Sequence, residues 1–553
     1  MNNIHTNWYK KAIIYQIYPR SFLDTNNDGL GDIKGIISKL DYLKELGINC
    51  VWLSPIYDSP QKDNGYDISN YLDIYPPFGN MDDFKKMLSE MHKRGIRLIM
   101  DLVVNHTSDQ HQWFKEAIKD KSSPYRDYYI IRKGKKNGKK PPNNWQGFFG
   151  EGAWSRIGDS DEYYLHLFTK EQPDLNWENP KVREKVKNIL KFWLDLGVDG
   201  FRCDVINLIS KKQDFKSRFP LLALTGKDAY INGPRLHEYL HELYRDVFSQ
   251  YDCMTVGETV LASKKDNIDL TDPTREELDM IFNFSHTNSD NYLGVKYFYR
   301  KFKLNRFKKR LNEQQVNLIG HGWNSLFIEN HDQRRSVGRF GTVEEDVNSS
   351  KSLAVSYFLL QGTPFIYQGQ EIGMRNAHFK SINETEDIES KNIDRISKKI
   401  PLIGKRIRNV ILDVSRDNAR TPMIWDNSTY GGFSNVKPWI RVNPDKNIVN
   451  VKQSLEDKNS LYYFYKKLID FRKDNETIIS GSYRMIKKHN PNIFAYVRED
   501  EQYRIFVISS FSKKEIKCSL LNRLKDEDIV ISNFDNYKEK LQPFETRVYK
   551  IKK

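Results

Sequence analysis

The chain has 553 residues, 39% of them hydrophobic and 13% aromatic, and a formal net charge of +15. That length exceeds one ordinary core and calls for two or three domains. A basic balance alone would suit nucleic acid, an anionic membrane or an acidic ligand, but the lysines are spread over the whole length, and the densest run, Arg132 to Lys140, contains Gly and ends in Pro141-Pro142, which reads as a solvated loop.

Short apolar runs alternate with longer stretches of helical period, the pattern of βαβ units. Lys11 to Tyr18 reads as a strand and Ile33 to Leu46 as a helix stopped by Gly47. Asn49 to Leu53 is the second strand, Met81 to Arg94 the second helix, stopped by Gly95, and Ile96 to Val104 the third strand. The rhythm breaks from Thr107 to Trp177, which is rich in Gly, Pro, Asn, Lys and aromatics, and a loop of that length inside a barrel is usually functional. It resumes with the helix Val182 to Leu196 and the strand Val198 to Val205. Further strands follow at Met254 to Val256, Leu278 to Phe284, Ser325 to Ile328 and Pro364 to Tyr367. Eight strands separated by helices predict an α/β fold, a closed (β/α)₈ TIM barrel. The expected domains are the barrel over 1–106 and 178–480, an inserted subdomain over 107–177, and a C-terminal antiparallel β-sandwich over 481–553, where short alternating runs such as Tyr503 to Ser509 appear.

The four cysteines, Cys50, Cys203, Cys253 and Cys518, form no CxxC pair and no zinc spacing, which suits a reducing compartment. The N-terminus lacks a signal-peptide core, and no run of about 18 or more apolar residues occurs. The expectation is a cytoplasmic protein with no membrane or nucleic-acid partner, a monomer or weak homodimer, and no organic cofactor.

Polar clusters sit where the apolar strands end: Asp101 to His106, Gly200 to Val205, Val256 to Glu258 and Glu329 to Asp332. In such barrels these ends converge on one mouth. One carboxylate there could be an ordinary helix cap; several, most of them beside Arg or His, suit glycoside hydrolysis. A retaining glycosidase needs two carboxyls about 5 Å apart, a nucleophile and a proton donor. Arg202 lies two positions before Asp204, on the same side of a strand, where a guanidinium would keep Asp204 ionised. Glu258 has no basic neighbour in sequence, and burial after an apolar strand would raise its pKa as a general acid requires.

These motifs, in order, resemble the signature regions of the α-amylase family of glycoside hydrolases over nearly the whole chain. The resemblance implies that Asp204 is the nucleophile, Glu258 the acid/base and Asp332 a third carboxylate that grips sugar hydroxyls, with His106, Arg202 and His331 lining the pocket of the attacked sugar. Gln172 to Asn176 (QPDLN), Asp63 to Asp67 (DNGYD) and Ser415 to Trp425 resemble the oligo-1,6-glucosidase subfamily. By that resemblance Tyr66 stacks on the sugar, Asp63 binds its far hydroxyls, and Arg416 pairs with Asp63 to close the pocket, so that only a chain end enters. Val205, directly after the nucleophile, implies a preference for α-1,6 linkages, although Val is also an ordinary residue to fill a strand. The substrate expected is a small α-linked oligosaccharide.

Asp24, Asn26, Asp28, Leu30 and Asp32 place oxygen donors at alternate positions around Gly29. This suits Ca²⁺, and the subfamily resemblance implies a structural ion held by four of these side chains and the Leu30 carbonyl; an Asx-rich turn with Asp32 capping a helix is the alternative. Two segments depart from the family pattern: Arg334-Arg335 stands where Pro-Arg is usual, and Thr259 to Leu261 follows Glu258. Arg334 adds a cation near the aglycone side, which keeps open a phosphorylated substrate such as trehalose 6-phosphate. A sucrose isomerase resembles the chain less, because those enzymes usually carry Thr after the nucleophile. The heavy chains of amino-acid transporters share this barrel but lack its three acids.

Overall fold

The computed structural model describes residues 5–221, 223–292, 295–344, 346–400 and 402–553. Eight parallel strands close into a barrel: β1 (Ile14–Ile17), β2 (Cys50–Leu53), β3 (Arg97–Leu102), β4 (Gly200–Cys203), β5 (Met254–Glu258), β6 (Met280–Phe282), β7 (Trp323–Leu326) and β8 (Thr363–Tyr367). Each pairs with its neighbours in sequence, and β8 returns to β1 through Ile14 beside Phe365.

The two-residue period of the strands divides their side chains. Ile14, Cys50, Trp52, Ile99, Met254, Val256, Met280, Phe282 and Phe365 fill the barrel interior as one cluster. Tyr15, Ile17, Val51, Leu53, Leu98, Met100, Phe201 and Cys203 alternate with them and pack against the helices outside. The inward set continues towards the strand ends as Gln16, Asp101, Arg202, Asp204 and Glu258, all buried or nearly so. Register aligns these groups, with Asp101 opposite Arg202 and Val256 also opposite Arg202.

The helix expected over 33–46 is two, Ile33–Ser38 and Leu40–Leu46, meeting at Lys39. The break lets Ile36, Leu40 and Leu43 all stay buried. The inserted segment holds a three-stranded antiparallel sheet of Ile131–Lys133, Glu162–Leu165 and Trp154–Arg156. Its core of Trp145, Trp154, Tyr163 and Leu165 is shared with Val205, Leu208, Phe215 and Tyr230, from the segment after β4. The insertion is therefore anchored on the barrel mouth beside Asp204.

At the C-terminus β9 (Ser482–Ile486), β10 (Ile493–Glu499), β11 (Tyr503–Ser510), β12 (Ile529–Ser532) and β13 (Thr546–Lys552) form an antiparallel sheet in the order β9-β10-β11-β13-β12. A two-stranded ribbon of Ile516–Lys517 and Lys540–Leu541 packs with it around Ile493, Ile508, Cys518 and Leu541. Lys308 ties this domain to the barrel by donating from Nζ to the Lys487 carbonyl at 3.1 Å and the Ile493 carbonyl at 2.9 Å. Among the described residues no helix is long and apolar enough to cross a membrane.

Candidate active site

Arg202 is the hub of the barrel mouth. Its side chain is only 1% exposed, and its Nη1 donates to Asp101 and, at 2.6 Å, to Asp204, while Nη2 donates to Glu258 at 2.6 Å. Three buried carboxyls thus share one guanidinium. Glu258 does have a basic partner, contrary to the reading from its sequence neighbours, because strand register carries Arg202 across from β4 to β5.

Burial dominates the protonation of these acids. It pushes both Asp204 and Glu258 up to about 7 and Asp101 up to about 6, with the charge of Arg202 opposing it each time. The guanidinium was expected to keep Asp204 an ordinary carboxylate. It acts in that direction, but burial outweighs it.

Asp332 is the contrasting case. Burial acts to raise its carboxyl too, yet its cationic surroundings, Arg416 and Arg420 among them, hold it well below the usual range. Arg420 Nη2 lies 2.6 Å from Asp332 Oδ1, and Arg416 Nη1 lies 3.5 Å from the same oxygen. Arg416 also reaches Asp63 at 3.4 Å and Asp387 at 2.7 Å, and stacks over the Phe149 ring of the insertion at 5.2 Å. The expected Asp63–Arg416 pair is present at the mouth.

The two expected histidines are neutral. Burial lowers His331 to about 3 and His106 to about 4. The Gln16 amide donates to His331 Nδ1 at 2.8 Å, which leaves the proton on Nε2, 2.7 Å from the Tyr66 hydroxyl. Tyr66 stacks parallel to His331 with ring centroids 5.3 Å apart. His106 Nε2 donates to the Tyr66 carbonyl at 3.0 Å, and the Gln172 amide donates to Asp63 Oδ2 at 3.2 Å. Gln172 also donates to the Tyr66 carbonyl at 3.3 Å, so the QPDLN segment braces both halves of the DNGYD segment.

Val205 does not fill β4, which ends at Cys203. It sits just beyond Asp204 with φ of +35°, a strained conformation for a β-branched residue. That turn aims its N–H at Glu258 Oε2, 3.4 Å away, and its side chain at the core of the insertion. Asn207 then clips the loop after Glu258, accepting from the Val260 N–H and donating to the Val260 carbonyl, both at 2.9 Å. Arg334 is not an unengaged cation: it is ion-paired with Asp290 at 2.8 Å and Asp413 at 2.7 Å and lies over the Tyr299 ring.

The acidic loop is curled by its own backbone. Asp24 Oδ1 accepts from the Asn26 and Asn27 N–H groups, Asn26 Oδ1 from Asp28, and Asp28 Oδ1 from Leu30. Asp32 caps the helix Ile33–Ser38 through the Gly35 N–H. Among the described residues no three His, Cys, Asp or Glu side chains are gathered as a metal site. The loop's oxygen donors, including Asn26 and the Leu30 carbonyl, are of the hard kind that Ca²⁺ takes.

Several residues of the site were not singled out from sequence. Arg420 follows Arg416 by four positions, one helical turn, a spacing that could have marked it. Asp101 opens the first polar cluster, and nothing beside it in sequence announces its contact with Arg202. Asp387 lies in a segment with no motif, and only the fold brings it to Arg416.

A parallel barrel with paired, buried carboxyls at its C-terminal mouth defines a glycoside hydrolase. Residues 16–481 match the family described as alpha amylase, catalytic domain, and the chain belongs to that family. It is 51% identical over 560 residues to the oligo-1,6-glucosidase of Parageobacillus thermoglucosidasius, with 99% of each chain covered. It is 45% identical over 568 residues to the trehalose-6-phosphate hydrolase of Bacillus subtilis, with 100% of each covered. A crystal structure of the trehalose-6-phosphate hydrolase of Bacillus licheniformis superposes with a TM-score of 0.92 at 45% identity, covering 98% of this chain and 99% of that one.

Proposed function

We propose that this enzyme is a retaining, exo-acting α-glucosidase that releases glucose from the non-reducing end of short α-glucosides and prefers α-1,6 linkages. The observation that carries the reading is the single guanidinium of Arg202 gripping both Asp204 and Glu258. It keeps the two carboxyls close, as the separation of about 5 Å in a retaining pair requires.

Asp204 attacks the anomeric carbon while protonated Glu258 gives its proton to the glycosidic oxygen, and the aglycone leaves. Glu258, now a carboxylate, takes a proton from water, which attacks the glucosyl–Asp204 ester and frees glucose with its α configuration retained. Asp332, held anionic by Arg416 and Arg420, accepts from the sugar hydroxyls. Tyr66 offers a flat face, and the wall formed by Asp63 with Arg416 supports exo action by blocking the chain beyond one glucose. Similarity to the oligo-1,6-glucosidase of P. thermoglucosidasius supports the α-1,6 preference, as does Val205 beside the nucleophile.

Trehalose 6-phosphate is the second reading, favoured by similarity to the B. subtilis hydrolase. The neutralisation of Arg334 by Asp290 and Asp413 speaks against Arg334 as its phosphate anchor. Comparison of kcat/KM for isomaltose, isomaltotriose, maltose, sucrose, trehalose and trehalose 6-phosphate tests the two: the reading predicts isomaltose first, and a clear lead for trehalose 6-phosphate would replace it.

Asp24, Asn26, Asp28, the Leu30 carbonyl and Asp32 would hold a structural Ca²⁺, which would offset two of the three carboxylate charges in the loop. The setting we infer is the cytoplasm, where four free, buried cysteines stay reduced, with the enzyme acting as a monomer or weak homodimer.

A further inference from the structure

A second cavity, of about 640 Å³, lies between the loop after β7 and the C-terminal domain. None of the residues assigned to the sugar lines it. Its size is that of a small-molecule site at a domain interface.

Seven Lys and Arg side chains line this cavity against two Asp. Arg335, Arg375 and Lys513 are paired with acids outside the lining, Glu329, Asp346 and Glu344. That leaves Arg300, Lys301, Arg334 and Arg339 facing Asp290 and Asp413, four positive charges against two negative. Asp290 is itself divided, 2.8 Å from Arg334 and 3.0 Å from Arg339. The excess of two matches the charge of a phosphomonoester, about −1.5 to −2 at neutral pH.

The backbone adds donors. The turn from Val337 to Gly341 lines the cavity, Gly338 has φ of +78°, and the N–H groups of Gly338 and Gly341 have no partner among the described residues. Unpaired N–H groups in such a turn form a concavity suited to anions. Phe302, Phe511 and Phe544 also line the cavity and add flat apolar faces, Phe302 packing edge-on against Phe340 of the turn at 5.5 Å. A cationic excess and aromatic faces in one cavity favour an organic phosphate over a bare anion.

We propose that this cavity binds a small organic phosphate, its dianion met by Arg300, Lys301 and the Gly338–Gly341 turn and its ring packed on the phenylalanines, apart from any sugar at Asp204. Isothermal titration of the full chain saturated with 1-deoxynojirimycin tests this, using glucose 6-phosphate and AMP as probes for a sugar and a nucleoside ring. The expected result is that one or both bind with a Kd the inhibitor does not change, and that the double variant Arg300→Glu with Lys301→Glu weakens binding about tenfold or more. Failure of both probes to bind, displacement by the inhibitor, or undiminished binding by the double variant would each overturn the proposal. Displacement would instead place the phosphate in the catalytic mouth.

Discussion

Asp204 and Glu258 lie on different strands, yet each is 2.6 Å from a nitrogen of the same Arg202 guanidinium. The contact fixes their spacing and leaves one cation to serve both. The two conservative variants should therefore fold and fail to turn over. Glu258→Gln is expected to lose about 10²–10⁴-fold in kcat on isomaltose, the usual worth of a general acid, and Asp204→Asn at least as much. Steady-state kinetics together with a circular-dichroism melt separate loss of chemistry from loss of fold.

The pH dependence follows from burial. Asp204 must be ionised to attack and Glu258 protonated to donate, and both are pushed up to about 7. As a coupled pair they should give a bell-shaped profile of kcat/KM centred near neutrality, whose two limbs belong to the pair. Stability carries the opposite sign from that of a salt-bridged acid. A carboxyl whose pKa is raised on folding lends stability below its unfolded value and loses it as pH rises through about 7. Glu258→Gln should thus melt at a higher temperature than wild type at pH 8, and the gap should shrink at pH 5. A gap that does not change with pH would contradict the assignment.

Arg416 compensates several buried acids, so its loss should cost both stability and rate. Arg416→Ala leaves Asp63 and Asp387 without their cation, a defect of about 3–5 kcal/mol for a broken buried pair. Urea melts should read that loss. On isomaltose kcat/KM should fall, and with the wall open longer isomaltooligosaccharides should lose less than isomaltose does.

Val205→Thr tests linkage preference. Thr is nearly isosteric with Val but brings a hydroxyl beside the nucleophile. The ratio of kcat/KM for maltose to that for isomaltose is expected to rise about tenfold, within what one small group contributes to selectivity. An unchanged ratio would confine Val205 to holding the turn and the core of the insertion.

Calcium is tested by chelation. EDTA should lower the melting temperature, and Ca²⁺ in excess should restore it where Mg²⁺ does not, since an ion that binds only the folded state stabilises it by mass action. Asp28→Ala should abolish the difference. No response to chelation would leave the loop as a set of Asx turns with Asp32 as a helix cap.

The barrel was legible because its strands are apolar runs bounded by helix stops, and β2, β3, β5 and β8 lie within a residue or two of their predicted bounds. The polar clusters at the barrel mouth were legible because sequence-local motifs sit at strand ends. What escaped depends on contacts across the fold. Asp387 meets Arg416 only through the packing of a late loop, and Arg202 meets Glu258 only through the register of β4 on β5. The strained turn at Val205 was hidden because nothing in a run ending Cys-Asp-Val-Ile announces a positive φ. The charge of Arg334 was read correctly, but its neutralisation needed Asp290 and Asp413, 44 and 79 positions away.

The most direct test of the central claim is to trap the covalent intermediate. Incubation with 5-fluoro-α-D-glucosyl fluoride, followed by proteolysis and mass spectrometry, should find one fluoroglucosyl group, carried by the peptide containing Asp204 and bound to that residue. A label on Glu258 or elsewhere would contradict the assignment, and release of β-glucose from isomaltose, followed by NMR, would contradict the retaining mechanism itself.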